Sequence, residues 1–518
     1  MDYPKLQKER LYTYYLYATE VTHQISTTLM EPSSQKIPVL EKIGYSLGDL
    51  AANLIFQTLM TFLAFFYTDV YVIPPATASA IIFAGGMIGA FFNPVMGIIA
   101  DRTVTRWGKF RPWILWTALP FGIIAMLAFS TPDFGPNGKV AYALITYILL
   151  VIVYSANNLP YASLSGVITG NMAERNSLSS YRFVAVMIAQ FIVQGLLLPL
   201  VLILGDGDKT KGFETVMTFF ALTGIVCFVI TFLTTKERIV PTPGQQSSVK
   251  EDISDLFRNK PWIAMLVLTV FIFITLSLKG GMYVYYFNNY LSEPHLASFL
   301  NDVGFNRFIE GVDGFFTGMG MHGFSWPQDA PSSGFSLFNA GGILMMIVGI
   351  TVSKSLADRF GKRNVFGTSL FLSALCLLLF YFYSPQAVAW VFLSQLAHGF
   401  FYGISTPLLW AMIADVADYS EWKNNRRATA IIFSAMIFGL KAGLSIGGAL
   451  VAGLLAIYGY NEQLSVQSPE VIHGIKLSLS VYPTLTFCVS VACLFFYGIN
   501  KQKEMEIQRD LAARRSSN

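Results

Sequence analysis

Long apolar runs separated by short polar segments make up most of this chain. Twelve runs approach or exceed the roughly 20 residues that an α-helix needs to cross a bilayer. They lie near residues 44–67, 77–100, 112–130, 140–165, 179–204, 214–234, 262–290, 336–353, 364–383, 387–413, 428–458 and 477–499. Because the runs are too long and too evenly apolar for the alternating strands of a β-barrel, we predict that all are helical. The pattern indicates an all-α polytopic membrane protein with 12 transmembrane helices.

Two polar turns about half a chain apart have similar sequences. Residues 97–109 read GIIADRTVTRWGK and residues 353–363 read SKSLADRFGKR, and each basic turn lies between two apolar runs. Membrane proteins that repeat a turn in this way are typically built by doubling a smaller bundle, and such doubled bundles usually move solutes. The repeat therefore predicts two pseudo-symmetric six-helix bundles and favours transport as the function.

The same pattern divides the chain into five predicted parts. These are a tail at 1–42, a six-helix bundle at 43–234, a linker at 235–261, a second six-helix bundle at 262–500 and a tail at 501–518. Within the second bundle, the loop at 291–335 is unusually long and rich in Gly, Phe and Pro. We interpret it as a tolerated surface insertion, with a lid over the outer mouth as the alternative. Met30 is an alternative translation start. Detection of peptides from residues 1–29 by mass spectrometry would exclude this alternative.

The composition supports a membrane location. Apolar residues make up 54% of the 518 residues and charged residues 13%, which is too little charge to coat a water-soluble surface of this size. The net charge of +4 comes without a basic patch interleaved with aromatic residues, so no nucleic-acid binding is predicted. The four cysteines lie inside apolar runs at spacings that predict neither a disulfide nor a metal site. With no apolar core before Ile43, we expect no signal peptide.

Lysine and arginine are concentrated in alternate loops. With the N-terminus inside, the cytoplasmic loops and the C-terminal tail hold 22 of the 35, against five in the outer loops. Positively charged loops remain in the cytoplasm. Both termini are therefore predicted to be cytoplasmic, in a multi-pass and monomeric protein of the plasma membrane, which is the inner membrane of a Gram-negative host.

Three basic residues, Arg182, Lys279 and Lys441, lie inside predicted spans. A charge inside the bilayer costs roughly 2.5–3.5 kcal/mol on insertion scales, so each needs a compensating role. Lys441 lies near the membrane midplane, beside glycines that allow close helix approach. We interpret it as an anchor for a ligand or a coupling state, with structural interhelical pairing as the alternative. Arg182 suits either an interfacial or a pocket role, and both interpretations stay open for Lys279.

Polar residues form a stripe on the first predicted helix. Asp49, Asn53 and Gln57 recur every four residues, so they share a face that must meet protein or a water-filled cavity. Asn93 and the pair at 157–158 add amides on the second and fourth helices. Amides offer donors and acceptors without charge, which suits a hydroxyl-rich ligand, whereas helix–helix hydrogen bonding is the alternative for each amide alone. Together they predict a wet, amide-lined cavity bordered by the midplane lysine.

Charged residues end the tenth predicted helix in the sequence ADVADYSEWKNNRR at 414–427. We interpret Asp415, Asp418 and Glu421 as part of an inner gate with the basic residues that follow, and static surface pairing is the alternative. Further candidate gating residues in the two basic turns are Asp101, Arg102, Arg106, Asp358 and Arg359. No nucleophile–base pattern stands out among five histidines, so no enzyme activity is predicted.

From about Ile43 to Lys501, the chain resembles the glycoside–pentoside–hexuronide:cation symporters, a branch of the major facilitator superfamily that includes melibiose permease. The resemblance is carried by GYSLGDLAAN at 44–53, FYTD at 66–69, NPVMG at 93–97, RWGKFRPW at 106–113, NLPY at 158–161, DVADY at 415–419, and Lys441. The basic turns alone mark only the superfamily, whereas the YTD, DxxDY and lysine signals are more specific. The resemblance implies the major facilitator fold and cation-coupled sugar transport.

Residue roles follow from that resemblance. Asn53, Tyr154, Asn158 and Arg182 match sugar-contacting positions, and Lys441 matches a lysine that couples the ion and sugar sites. We add Trp410 and Lys279 as further candidate substrate-binding residues. The candidate coupling residues are Asp49, Asn53, Asn93 and Lys441. Acids that melibiose permease uses for sodium are replaced here by Gly89 and Asn93, which favours a proton, acting through Asp49, as the coupling ion.

The sequence thus predicts a secondary transporter that imports a mono- or oligosaccharide, pentoside or hexuronide by proton symport, with sodium less favoured, and by alternating access. Apart from the coupling cation, no cofactor is expected, and the partners are a sugar and the lipid bilayer. One charge crossing 100 mV supplies about 2.3 kcal/mol, enough for roughly fifty-fold accumulation. Three alternatives remain: a lysolipid or other amphiphile carrier of the same fold, an uncoupled sugar facilitator, and a transporter-like receptor.

Overall fold

The computed structural model describes residues 36–169, 172–238, 259–318, 326–327, 329–424, 429–464 and 466–516. Within these residues, regular structure is helical apart from an isolated bridge between Thr105 and Gly108. Twelve described helices are long and apolar enough to cross a membrane, at Val39–Val70, Pro75–Ala100, Arg111–Ala128, Pro136–Ile168, Ser177–Leu204, Lys209–Thr234, Lys260–Asn289, Ala330–Phe360, Lys362–Leu379, Val388–Lys423, Ala435–Tyr458 and Pro469–Tyr497. The prediction of an all-α protein with 12 transmembrane helices is confirmed.

The first half of the protein provides six of these spans. Its helices are α1 (Val39–Phe65), α2 (Pro75–Arg102), α3 (Arg111–Ala128), α4 (Pro136–Ile168), α5 (Met172–Phe191), α6 (Leu197–Leu204) and α7 (Lys209–Thr234). A π-helical turn at Phe66–Val70 extends α1, and another at Ile192–Leu196 joins α5 to α6. Proline stands in the first turn of α2, α3 and α4, where its missing N–H leaves no helical bond unmade.

The second half contains the other six spans, the last of which is divided into two helices, α15 and α16, and three shorter helices. Its helices are α8 (Lys260–Asn289), α9 (Glu293–Asp302), α10 (Phe305–Gly318), α11 (Ala330–Phe360), α12 (Lys362–Leu379), α13 (Val388–Asn424), α14 (Thr429–Tyr458), α15 (Pro469–Leu479), α16 (Val481–Tyr497) and α17 (Lys501–Ser516). The segment interpreted as a long loop, 291–335, therefore holds α9, α10 and the start of α11. The tail at 501–518 holds α17. Met30 and residues 239–258 of the linker lie outside the described residues.

Ion pairs and helix caps tie the chain together on the side of the two basic turns, which we name the basic side. Arg238, just beyond α7, lies 2.7 Å from Glu41 at the start of α1 (Nη2–Oε2), and this bond raises the pKa of Arg238. The Glu237 carboxylate accepts three consecutive N–H bonds at the start of α3, at 2.8–2.9 Å. Ile507 and Leu511 of α17 are buried in the core of the second half. Both described ends of the chain therefore lie on the basic side.

The two halves share a buried apolar core toward the other end of the molecule, which we name the opposite side. Phe62 of α1 meets Phe335 of α11 with 5.7 Å between ring centroids, and Phe65 meets Tyr285 of α8 at 6.0 Å. A separate buried cluster, nearer the basic side, is built from described residues of the second half alone. The halves are thus held together on the opposite side in this conformation.

Two helices of the second half, α8 and α14, are in backbone contact. A Cβ atom added at Gly443 would lie 2.4 Å from the carbonyl oxygen of Val270, and one added at Gly447 would lie 2.5 Å from that of Ile274. Glycine alone permits this approach, as the glycines beside Lys441 predict. The contact holds the segment of α14 that carries Lys441 against α8.

Gly443→Ala should lower the thermal stability of the protein, because its methyl group overlaps the backbone of α8. Overpacking typically costs about 1–3 kcal/mol. Gly280→Ala, on α8, is the matched control, since nothing lies within 4 Å of a Cβ atom there. Thermal unfolding midpoints of the purified variants check this expectation. Equal midpoints for the two variants would show that the contact is not tight.

Candidate functional site

Lys441 of α14 reaches across the interface between the two halves. Its Nζ donates hydrogen bonds to Asn93 Oδ1 on α2 at 2.7 Å and to Ser155 Oγ on α4 at 3.2 Å. The ring centroid of Tyr154 lies 5.4 Å from Nζ, within cation–π range. Within the described part of the chain, the contacts of this ammonium are two neutral oxygens and an aromatic face, with no carboxylate. The position suits a group that binds a ligand or responds to the coupling ion.

A cavity of about 80 Å³ lies beside Lys441. Both halves line it, with Phe56 and Tyr154 among the residues of the first half and Ser277 and Ser445 among those of the second. Its volume suits a few water molecules, so this conformation does not hold a sugar there. The lysine borders a cavity as predicted, but the expected amide lining is wrong, because the walls are aromatic, aliphatic and hydroxyl-bearing.

The predicted amides have other surroundings. Asn53 donates to the carbonyl oxygen of Asp49 in its own helix at 2.9 Å, and Asn157 donates to Thr117 Oγ1 on α3 at 2.8 Å. These are the local and interhelical bonds that compete with ligand binding for any buried amide. Asn158 is half-buried on α4 and makes no side-chain hydrogen bond to another described residue. Of the predicted amides, only Asn93 contacts Lys441.

Asp49 and Arg182 form a partly buried ion pair between α1 and α5. Arg182 Nε lies 2.5 Å from Asp49 Oδ2, and the Asp49 residue is only 4% exposed. The guanidinium also lies over the rings of Tyr45 and Tyr161, at 5.5 and 5.3 Å from their centroids. These contacts hold the guanidinium against α1 and the Tyr161 ring of α4, with 27% of the Arg182 side chain exposed. Two turns further along α1, Gln57 Oε1 accepts a hydrogen bond at 3.4 Å from Nε2 of Gln194, in the π-helical turn after α5.

Two further candidates, Lys279 and Trp410, do not line the cavity beside Lys441. Lys279 Nζ lies 5.5 Å from the ring centroid of Tyr283 and 5.9 Å from that of Tyr402, both within the second half. Trp410 on α13 is 39% exposed. The structure therefore does not bring these two residues together with Lys441 and its partners.

Asp415, the first acid in the proposed gate on α13, pairs within the second half. Lys362 Nζ lies 2.7 Å from Asp415 Oδ1 and 2.8 Å from Glu504 Oε1 on α17. Asp418 and Glu421 are half-buried further along α13. The Lys362 contacts join three helices of one half, so they stabilise that half in this conformation.

The remaining gating candidates lie in the basic turns. Arg106 and Arg359 each lie over the aromatic ring of the next residue, at 4.8 and 5.2 Å from its centroid. The carbonyl oxygen of Asp358 accepts a hydrogen bond from Lys501 Nζ at 2.7 Å, and Arg102 is exposed. The side chain of Asp101 and the arginines 426–427 lie outside the described residues.

On the opposite side, four polar residues join the two halves, and we name them the Asp69 latch. Tyr460 Oη, just after α14, donates to Asp69 Oδ1 at 2.5 Å. Thr68 Oγ1 lies 2.7 Å from Tyr285 Oη on α8 and 2.6 Å from Asp69 Oδ2. No basic side chain of a described residue lies within 4 Å of this carboxyl group. Hydroxyl groups therefore hold a largely buried carboxyl group at the junction of the halves.

The Asp69 latch and the serines around Lys441 were not predicted from the sequence. Asp69 lies in the FYTD segment that carries the family resemblance, so a signal was present but its partner Tyr460 could not be inferred from one sequence. Ser155, Ser277 and Ser445 lie in apolar runs that contain many other small residues. No pattern in the sequence distinguishes them.

Comparison with known proteins relates this geometry to a family. A family model described as MFS/sugar transport protein matches residues 44–311 and 331–501. This chain belongs to that family. The inner membrane symporter YicJ of Escherichia coli (strain K12), a curated relative in the family, is 33% identical over 480 residues, which cover 92% of this chain and 96% of the relative. The isoprimeverose transporter of Lactiplantibacillus pentosus is 30% identical over 473 residues, 90% of each chain.

Solved structures support the same fold. A structure of proton dependent oligopeptide transporters aligns with a TM-score of 0.60 at 10% identity, covering 91% of this chain and 100% of the other. The nucleoside transporter NupG aligns with a TM-score of 0.52 at 14% identity, covering 89% of this chain and 99% of the other. At these identities the likeness shows the fold alone. The protein has the major facilitator fold and is a multi-pass membrane transporter of the glycoside–pentoside–hexuronide symporter family, not an enzyme.

Proposed function

We propose that this protein imports a sugar or glycoside together with a proton, by alternating access of its two halves. The observation that carries the proposal is the position of Lys441, which belongs to the second half and donates hydrogen bonds to Asn93 and Ser155 of the first. Any relative movement of the halves must change these bonds. A ligand or a proton that alters them therefore alters the balance between conformations.

The composition of the site favours a proton over sodium. Sodium and similar hard cations are bound by clustered oxygen ligands, usually including carboxylates. The chain has Gly89 and Asn93 where acids would supply such ligands in melibiose permease, and the ammonium of Lys441 already occupies the oxygen of Asn93. Asp49 is the carboxylate of the polar stripe, and its pairing with Arg182 links its charge to the contact between α1 and α5.

The names of relatives support a sugar or glycoside as the substrate. One of the relatives described above is an isoprimeverose transporter. The site offers hydroxyl, amide and aromatic groups around one lysine, and sugars bind through hydroxyl hydrogen bonds and contact with aromatic faces. The cavity beside Lys441 must enlarge before a sugar enters it, which the separation of the halves would achieve.

Alternating access requires the Asp69 latch to open on the opposite side, which we assign to the outside. Tyr460→Phe should favour the outward-open state, because it removes the hydroxyl that binds the Asp69 carboxyl group across the halves. We expect a membrane-impermeant maleimide to label a cysteine introduced at Ser277, in the cavity, severalfold faster from outside. Tyr458→Phe is the matched control, since its hydroxyl contacts Tyr482 within the second half. Equal labelling rates in both variants would contradict the role of the latch.

Uptake into proteoliposomes tests the proposed function. The purified protein is screened over labelled mono- and oligosaccharides with an imposed proton or sodium gradient, and we expect an inward proton gradient to concentrate one of them inside. Accumulation driven by sodium alone would overturn the ion assignment. Equilibration of the sugar without accumulation would indicate a facilitator. Sugar binding without counterflow would indicate a receptor. Uptake of lysolipids but of no sugar would indicate an amphiphile carrier.

A further inference from the structure

Helix α10 has a continuous apolar face although it lies outside the membrane-spanning helices. Its sequence is FNRFIEGVDGFFTG. At 100° per residue, an arc of about 120° contains its apolar positions, and the remainder carries the charged and amide groups. The apolar arc includes Phe305, Phe308, Ile309, Val312 and Phe315. The polar arc includes Asn306, Arg307, Glu310 and Asp313.

Among the described residues, one edge of this apolar face is buried and the other is exposed. Ile309 is 7% exposed, and Phe305 packs near Trp326 with 6.3 Å between ring centroids. At the other edge, Phe308 is 65% exposed and Phe315 is 63% exposed. Two large aromatic side chains two helical turns apart are therefore more than half exposed on the same edge, which is unfavourable in water.

Contacts with neighbouring helices fix the level of α10 relative to the membrane. Phe299 of the preceding helix α9 packs on Phe392 near the start of α13, at 4.6 Å between centroids. Asp313 of α10 accepts the backbone N–H of Trp326 at 2.9 Å, and the Trp326 indole donates to Ser333 in the first turn of α11 at 2.8 Å. Helix α10 is thus held where α11 and α13 leave the bilayer on the opposite side.

We propose that α10 lies in the interfacial layer of the membrane leaflet on the opposite side, with Phe308 and Phe315 inserted among the lipids. The bilayer is the occupant because α10 follows α9, which packs on the start of α13, and apolar side chains are also exposed at that end of the α13 span. Near the start of α13, Trp390 is 60% exposed and Leu393 is 54% exposed. Helices with one apolar face and one polar face bind membranes in this orientation. This inference is independent of the substrate and of the coupling ion.

The charges of α10 specify which membrane it needs. Arg307, Glu310 and Asp313 give the helix one positive and two negative charges, so attraction to anionic lipids does not contribute. Insertion is driven by apolar burial alone. It should therefore occur in purely zwitterionic bilayers and be insensitive to salt.

Site-directed fluorescence tests the proposal on the full-length protein in phosphatidylcholine nanodiscs. A bimane label is placed on Phe308→Cys and, as the control on the polar face, on Glu310→Cys, with protein lacking an added cysteine giving the background. Phe315→Cys provides a second position on the apolar edge. We expect lipids with a nitroxide near the headgroup to quench the labels at 308 and 315 severalfold more than the label at 310. Aqueous iodide should give the reverse order.

Two results would overturn the inference. Equal iodide quenching at positions 308 and 310 would show that the apolar edge faces water. Protection of position 308 from both lipid nitroxide and iodide would show that protein covers it, either as a lid of this chain or as a second copy. Because the experiment measures no transport, failure of the proposed sugar symport would leave its outcome unchanged.

Discussion

Lys441→Ala is expected to reduce the initial rate of sugar uptake into proteoliposomes about a hundredfold, and to abolish accumulation, while the protein remains folded. The substitution removes the ammonium that donates to Asn93 and Ser155 across the two halves. Hydrogen bonds from charged groups contribute about 1.5–3 kcal/mol each, and about 2.7 kcal/mol is a hundredfold change in rate. Initial uptake rates and steady-state accumulation under a proton gradient measure the effect.

Ser445→Ala is the matched control for the lysine substitution. Ser445 lines the same cavity one helical turn away, but its hydroxyl donates to the carbonyl oxygen of Lys441 within its own helix. We expect uptake close to that of the wild type. Size-exclusion chromatography shows whether both variants are folded. Wild-type accumulation by a folded Lys441→Ala protein would refute the proposed role of Lys441.

The Asp49–Arg182 pair gives the second large expected effect. Asp49→Asn leaves the Arg182 guanidinium without its carboxylate, and Arg182→Gln leaves Asp49 unpaired, so each single variant should be strongly destabilised. Breaking a fully buried ion pair from one side typically costs about 3–5 kcal/mol, and the 27% exposure of the Arg182 side chain places the cost here below that range. The double variant removes both charges and should recover most of the lost stability. Thermal unfolding of the three variants and the wild type forms a complete double-mutant cycle.

The same three variants test coupling. If Asp49 takes part in proton coupling, the double variant should be stable yet should no longer concentrate sugar, and its remaining uptake should lose the pH dependence of the wild type. Uptake at a series of external pH values, with and without a protonophore, gives the readout. An unchanged pH dependence would assign the proton to another group and leave the ion pair a structural role.

Helix number and type followed from hydropathy because crossing a bilayer imposes a minimum length on each apolar run. The helix ends were less predictable. The tenth span was expected at 387–413, but α13 continues to Asn424, because polar residues extend a helix beyond the membrane without any apolar signal. Residues 305–318 illustrate the same problem: their helical periodicity was present, but frequent glycine suggested a loop.

The candidate site was predictable only in part. Lys441 was identified because a charge at mid-depth is costly and needs partners, and this argument requires no structure. Its actual partners depend on how α2, α4 and α14 approach one another, which a single sequence does not encode. The amides were predicted to line a cavity, and this was wrong for the same reason. Asn157, for example, faces α3, where its side-chain amide donates a hydrogen bond to Thr117. Neither could the pairing of Asp69 with Tyr460 be inferred, since the two residues are almost 400 positions apart.

The contact of Gly443 with Val270 has a mechanical consequence. Helices whose backbones are in contact cannot slide or tilt independently, so α8 and α14 must move as one rigid body. Lys441 belongs to this rigid body, whereas Asn93 and Ser155 belong to the other half. The distance from the Lys441 ammonium to Asn93 therefore reports how far α8 and α14 have moved relative to the first half. A spectroscopic label on this amine would report the conformation of the transporter.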